Sequence, residues 1–435
     1  MTVEANALHE IRDAIHTFVR LETCERAVVN SAPYQRLRDI HQLAMTYLVY
    51  PGASHSRFEH CLGVMELASR IFDVVTDQRN LVAEIRSGIH LPETLEHNYW
   101  RRVLRMAALC HDLGHLPFSH AAEDTLPTGC THEDLSLAII RSPDMVEIWE
   151  RLKISAEDVG KLAVGSKHYP KPLTDWETLL SEIIIGDAFG ADRMDYLLRD
   201  SHHAGVSYGR FEHHRLIDTM RILPQKESEQ ALPTLGIEQG GLQSAESLLW
   251  ARYFMYTQLY FHPVRRVYDF HLKQFLKEWL SGGKFSTNLK DHLLLTDTEV
   301  ISAMRLAAGD QSAPGHVPAH RIMHRQHFRR VADITDADRE IDPDAAETLA
   351  SLLSDKFGEE AVFMDRYTQK GKGIRFPVLT RDGGIEWSTV LSATLKRVPT
   401  FTVEYVFVDP VYSGPAKNTV TAFREELHKK KGGQE

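Results

Sequence analysis

The chain has 435 residues, 43% hydrophobic and 25% charged, an ordinary globular composition that excludes disorder, collagen and coiled coil as global descriptions. At about 150 residues per domain it has room for up to three domains and a large core. Acidic residues (60) outnumber Lys plus Arg (50) and the net charge is −10, so an anionic ligand must be met by a locally positive pocket, and long nucleic acid is a disfavoured partner. Cys24, Cys61, Cys110 and Cys130 are too far apart for a zinc ribbon or redox pair, which points to free thiols in a reducing cytoplasm. The opening MTVEANALHEIRDAIH has no apolar h-region, and no run approaches the ~18 apolar residues of a membrane span. The expectation is a cytoplasmic protein without a membrane anchor.

In chain order, residues 57–75 place Phe58, Leu62, Met65, Leu67, Ala68, Phe72 and Val75 at helical intervals. Residues 99–112 form a second helical run, ended by Gly114 and Pro117. Long helices are predicted over 180–200 and 243–280, with an insertion between them at 224–241 whose TLGIE run reads as a strand. The texture changes near 285: a loop rich in Gly, Pro and Ser at 309–319, a helix within DITDADREIDPDAAETLASLL, and strands at 361–365, 373–380, 386–395 and 401–408. Residues 381–384 supply a hairpin turn, and the tail EELHKKKGGQE is expected to fray. The fold class is mainly α, with a large helical domain over 1–285 and a smaller α+β lobe over 286–435.

Histidine is the unusual residue, with 24 copies, and it is the commonest metal ligand and acid–base group. The sharpest local feature is CHDLGHLPFSH at 110–120. Its adjacent His111 and Asp112 offer an imidazole and a carboxylate to one cation. Two ligands do not close a site; His60 upstream in SRFEHCLGV and Asp192 downstream in ADRMDYLLRD are the candidates to complete it. On a helical projection of 192–200, Asp192, Asp195, Tyr196, Arg199 and Asp200 share one arc, with Arg193 at its edge. Each feature alone has a bland reading: a satisfied core histidine, an uninformative dipeptide, a solvated helix face. Their conjunction, with His115, His120 and His132 close by, points to a metal centre. Two nitrogens and two oxygens suit Mn²⁺, Fe²⁺, Zn²⁺ or Mg²⁺ without selecting among them.

The pattern H…HD…D resembles that of the HD-domain metal phosphohydrolases. The segments YQRLRDIHQLAMTYLVYPGASHSRFEHCLGV, CHDLGHLPFSH, THED, ADRMDYLLRDSHHAGV and LLWARYFMYTQLYFHPV resemble the SAM- and HD-domain dNTP triphosphohydrolases over roughly residues 5–280. No sterile-alpha-motif domain is expected ahead of them. The resemblance implies cleavage of a dNTP to deoxynucleoside and inorganic triphosphate, with His60, His111, Asp112 and Asp192 as metal ligands. It implies that Arg57 lies near the base and phosphates, that Gln42 and Asp200 bind the sugar 3′-hydroxyl, and that Leu43, Tyr196 and Tyr260 crowd a 2′-hydroxyl. Arg193 would meet phosphate. Arg252, Tyr256 and Tyr260, at i, i+4 and i+8 of one predicted helix, would present a guanidinium and two rings on one stripe. His120 and His132 are candidate proton donors, His115 a contact to the α-phosphate, and Glu123 and Glu133 their orienting carboxylates.

Departures from the family pattern concern control. Asn30 stands where guanine-regulated members have an acid, and Pro263 where a basic residue is expected, while Gln35 and Arg38 are retained. The expectation is an intact catalytic set, an altered nucleotide-activator site at Asn30, Gln35 and Arg38, and a homo-oligomer, tetramer or dimer. The competing readings are an HD phosphodiesterase or exonuclease on single-stranded or cyclic nucleotides, and a non-catalytic nucleotide-sensing module.

Overall fold

The computed structural model describes residues 8–23, 25–225, 232–368 and 374–432. It is mainly helical, with small sheets. No helix among the described residues is long and apolar enough to cross a membrane. The chain forms two compact units, the first built from Met1–Met255, Phe285–Val300 and Gly373–Val398, the second from Tyr256–Lys284, Ile301–Lys372 and Pro399–Glu435. The units therefore interleave along the sequence, where the change of texture suggested a single junction at 285/286. Strand pairing gives one reason. Pro377–Leu379 and Ile385–Trp387 complete a four-stranded sheet begun by Met220–Pro224 and Pro233–Glu238, with Ile237 opposite Val378 in parallel register.

The hub of the first unit is the helix Arg57–Val75, at the predicted bounds. Ser56 and Glu59 close a capping box at its start, satisfying two otherwise orphaned backbone groups. Its face of Phe58, Leu62, Met65, Phe72 and Val75 is buried, against the helices Leu95–Cys110 and Ala191–Ala204. The long helix predicted over 180–200 is divided: Asp175–Ile185 ends before Gly186, and Ala191–Ala204 begins after Gly190. The helix predicted over 243–280 is divided too. Leu242–Met255 passes into a π turn at Tyr256–Tyr260, and a new helix starts with Pro263 at its first position. The Phe261 N–H bonds to the Tyr256 carbonyl five residues back at 3.0 Å, and Pro263 has no N–H to continue a ladder. The stripe expected for Arg252, Tyr256 and Tyr260 on one α-helix is thus interrupted. Arg252 lies in the last turn of a helix of the first unit, and the two tyrosines belong to the π turn.

An antiparallel hairpin, Leu8–Asp13 with Thr17–Glu22, precedes the helices and was not foreseen. The run 386–395 is strand only as far as Trp387. Ser388–Leu391 and Ala393–Lys396 are short helices, and Ser392 caps the second by accepting from the Leu395 N–H; serines at turn starts override the β-branched composition.

In the second unit, Thr402–Val408 is the central strand of an antiparallel sheet, between Arg329–Asp333 and Val362–Thr368. Val406, Val408 and Ala332 pack with Leu349 and Leu353 of the helix Ala345–Phe357, and with Val420, Phe423 and Leu427 of the helix Ser413–Gly432. Burial of Leu427 explains why the last helix continues to Gly432 where fraying was expected.

Candidate active site

Three helices deliver the metal-ligand candidates. His60 sits in the first turn of Arg57–Val75, His111 and Asp112 follow the end of Leu95–Cys110, and Asp192 opens Ala191–Ala204. The close crossing of the first and third depends on Gly63. A Cβ there would fall 1.9 Å from Asp195 Oδ1 and 2.4 Å from Arg199 Nη2.

Ligand atoms of His60, His111 and Asp112 lie within 4.8 Å of one another. Asp192 Oδ1 is 3.0 Å from His60 Nε2 and 3.7 Å from His111 Nε2. The far ring nitrogens are committed elsewhere: His60 Nδ1 to Asp195 Oδ2 at 2.8 Å, and His111 Nδ1 to the Ala108 carbonyl at 2.8 Å. This is the arrangement that fixes a ligating imidazole and its tautomer. His111 Nε2 is buried without a hydrogen-bond partner. A buried ring nitrogen with no hydrogen-bond partner, set beside carboxylates in a mixed N/O donor set, fits a divalent cation.

The electrostatics are concentrated. Burial disfavours charge on His60, yet the hydrogen bonds to Asp192 and Asp195 raise its pKa to about 10. His111 is likewise pushed well above the ordinary imidazole value, against burial, by Asp112 and Asp192. Burial would raise Asp112, but Arg57, His111 and His115 hold its carboxyl well below the usual range. Asp192 is lowered by His111 and His60 in spite of its burial. Behind His60 runs a buried ionic chain. Asp195 takes two bonds from Arg199, at 2.8 and 3.0 Å, and one from His16 at 2.7 Å; Arg199 also reaches Asp13 at 2.9 Å. Asp195 and Arg199 are fully buried, so the polar arc of this helix is not a solvated face.

Beside the quartet, Arg57 pairs with Asp112 and donates from Nε to Ser119 Oγ at 2.8 Å. His115 Nε2 lies 3.2 Å from Asp112 Oδ1, and its ring stacks on His132 at 4.0 Å. Burial, Arg57 and His132 drive the His115 pKa well below the ordinary value, so this imidazole is neutral at pH 7. His132 Nδ1 is held by Glu123, with Glu133 at 3.4 Å. Gly114 permits this stacking: a Cβ would meet the His132 carbonyl at 2.1 Å. His120 lies in the turn Ser119–Thr125, with its side chain outside the described residues.

Other predicted residues are placed as follows. Leu43 is buried; Gln42 bonds through its backbone to His55 O, and its Oε1 is buried without a partner. Asp200 accepts from His55 Nε2 at 2.7 Å. Tyr196 is half-buried on the Asp192 helix, and Arg193 reaches back to Asp187 at 3.3 Å. Asn30, Gln35 and Arg38 line a separate cavity of about 740 Å³ with Arg12, Asp13 and Glu59. Sequence reasoning assigned no role to Asp195, Asp13, His16 or His55. Asp195 had a signal, its place three residues after Asp192; the others act through contacts between residues more than a hundred positions apart.

A profile described as HD domain matches residues 57–200, and one described as HD associated region matches residues 211–365. An uncharacterized protein of Methanocaldococcus jannaschii is 34% identical over 299 residues, covering 68% of this chain and 55% of that protein. The deoxynucleoside triphosphate triphosphohydrolase SAMHD1 homolog of Dictyostelium discoideum is 28% identical over 303 residues, covering 65% of this chain and 54% of its own length. The chain spans about half the length of the curated relatives it matches. A solved structure of a hypothetical protein from Aquifex aeolicus is similar with a TM-score of 0.78 at 31% identity, covering 95% of this chain and all of that one.

Proposed function

The chain belongs to the HD-domain phosphohydrolases, and from that premise we propose that it is a dNTP triphosphohydrolase, releasing deoxynucleoside and intact inorganic triphosphate. The observation that carries the reading is the quartet of His60, His111, Asp112 and Asp192, with both imidazoles anchored through Nδ1. The name of the Dictyostelium relative supports the substrate class.

These four residues would hold the divalent cation, Mn²⁺, Mg²⁺, Fe²⁺ or Zn²⁺. When bound, such a cation polarises a phosphoryl oxygen and lowers the pKa of water. The chain's own groups do the rest. Arg57, fixed between Asp112 and Ser119, presents positive charge to the phosphates. Neutral His115 is proposed to contact the α-phosphate. The nucleoside 5′-oxygen is a poor leaving group and needs a proton; His132, held by Glu123 and Glu133, is the proposed donor, with His120 on the same turn-and-helix segment as the alternative. The partnerless Gln42 Oε1 is a ready acceptor for a sugar hydroxyl, and Asp200, oriented by His55, is its proposed counterpart. Leu43 and Tyr196 are proposed to exclude a 2′-hydroxyl, with Arg193 and Arg252 completing the substrate contacts. We place a nucleotide activator at Asn30, Gln35 and Arg38, and self-association follows the family.

The test is purified protein with Mn²⁺ and each dNTP, products resolved by anion exchange and phosphorus NMR. Deoxynucleoside and triphosphate in equal amounts are expected. Stepwise release of orthophosphate would replace this reading by a generic phosphatase.

A further inference from the structure

Asp297 lies outside the residues that match the HD domain, yet its buried carboxylate enters the neighbourhood of the site. Oδ1 accepts the Phe118 N–H at 2.7 Å. Oδ2 accepts the His41 N–H at 2.9 Å and bonds His41 Nδ1 at 2.6 Å. One carboxylate thus ties together two loops that are far apart in sequence. Both loops matter. His41 precedes Gln42 and Leu43. Phe118 precedes Ser119, whose Oγ accepts from Arg57 Nε at 2.8 Å and donates to the His41 carbonyl at 3.2 Å. Arg57 in turn sits on Asp112.

The backbone at this point is unusual. Phe118 and Ser119 both have positive φ, 57° and 55°, and neither is glycine. Two successive left-handed residues are costly and persist only where surrounding contacts over-determine them. The Asp297 bond to the Phe118 N–H is such a contact. Relaxation of this turn would move Ser119 away from Arg57 and detach the His41 loop at the same time.

We infer that Asp297 is a positioning residue for the phosphohydrolase reaction, clamping the 118–119 turn to the His41 loop so that Arg57 and Gln42 are held in working geometry. The reaction itself rests on the function proposed above; the clamp rests on the geometry alone. Asp297→Ala removes both arms. Asp297→Asn keeps one acceptor, and its amide sets hydrogens against either the His41 or the Phe118 N–H.

The experiment compares wild type, Asp297→Asn and Asp297→Ala in metal content, steady-state kinetics and hydrogen exchange. Substrates are dATP and bis(p-nitrophenyl) phosphate with Mn²⁺. The expected result is a kcat loss of about 100-fold for Ala and about 10-fold for Asn, with KM within roughly threefold. Metal content should be unchanged. Exchange should accelerate in peptides covering 38–48 and 113–126, and stay unaltered in 57–75. Wild-type kcat in Asp297→Ala overturns the inference, as does a loss that merely follows metal loss. If Ala does not fold, Asp297→Asn carries the same test. If wild type cleaves only the diester, the dNTP reading fails and the clamp is judged on that substrate. If it cleaves neither, unaltered exchange in both loops is the refuting outcome.

Discussion

His60 and His111 reach the candidate metal centre with one ring nitrogen already committed, and this makes metal binding a competition with protons. With Asp192 and Asp195 beside it, His60 has a pKa near 10, and His111 is raised too. A cation must displace those protons. Metal affinity should therefore rise steeply from pH 7 towards pH 9, by about tenfold or more per unit, with proton release visible by calorimetry in buffers of different ionisation enthalpy. A flat profile would count against His60 as a ligand. The sign for the metal-free protein is opposite. A raised imidazole pKa contributes stability in full below the unfolded value near ~6.5, and that stability is lost as pH climbs through about 10. The paired change His111→Ala with Asp112→Ala should abolish metal and activity while keeping the helical circular dichroism. Full metal occupancy by elemental analysis in that variant is the contrary result. Asp195→Ala leaves the buried Arg199 with a weakened counter-charge; breaking such a pair costs about 3–5 kcal/mol, and metal affinity should fall about 10- to 100-fold. At this scale the quartet was legible because His111 and Asp112 are adjacent and the flanking motifs are ordered along the chain. Asp13, His16 and His55 were not, because their partners lie between 145 and 186 residues away, a separation that periodicity does not reach.

Among the elements, the crossing of Arg57–Val75 over Ala191–Ala204 is the joint on which the centre depends. Gly63→Ala would set a methyl group 1.9 Å from Asp195 Oδ1, so the helices must part or Asp195 must leave His60. Overpacking of this kind costs about 1–3 kcal/mol. The variant should lower the midpoint of denaturant unfolding and also lose metal affinity. Loss of stability with metal affinity intact would mean that the joint only supports the fold. The helix 57–75 was readable to its ends, since its apolar spacing coincides with a capping box. The runs 180–200 and 243–280 were read as continuous because apolar spacing persists across their breaks. Gly186, Gly190 and Pro263 were the signals that outweighed it. The strand over 386–395 failed for a related reason: Ser388 and Ser392 start helical turns inside a β-branched run. The N-terminal hairpin had weak alternation and its turn places Thr17 at a φ of 67°, a conformation for which threonine gives no warning.

For the whole molecule, the interleaved units show how far one-dimensional texture reaches: composition separated a helical part from an α+β part, but strand pairing returned 373–398 to the first unit. The prediction at this scale concerns control. The cavity holding Asn30, Gln35 and Arg38 is lined by cations and anions together, Arg12 and Arg26 with Asp13, Glu10 and Glu59. Gln35 donates to the Val29 carbonyl at 2.7 Å and accepts from Arg38 at 2.8 Å, and the Arg38 guanidinium lies 3.5 Å from the Phe58 ring centroid. Those side chains are committed in place, so in the proposed activator site discrimination among bases would fall to the exposed Asn30. A carboxylate there would accept from both guanine donors, N1 and N2. An amide accepts but also presents its own hydrogens, and so selects guanine less well. The family resemblance implies a basic residue at the position of Pro263, and proline brings no such charge. Strict dependence on GTP should therefore be absent, with activation by dNTPs or by none, and the chain should self-associate. The measurement is the rate with dATP alone and then with GTP titrated in, alongside light scattering. An enzyme silent without GTP and switched on by micromolar amounts would show that Asn30 and Pro263 do not govern its control; a substantial rate with dATP alone from an oligomeric protein would support their assigned part in it.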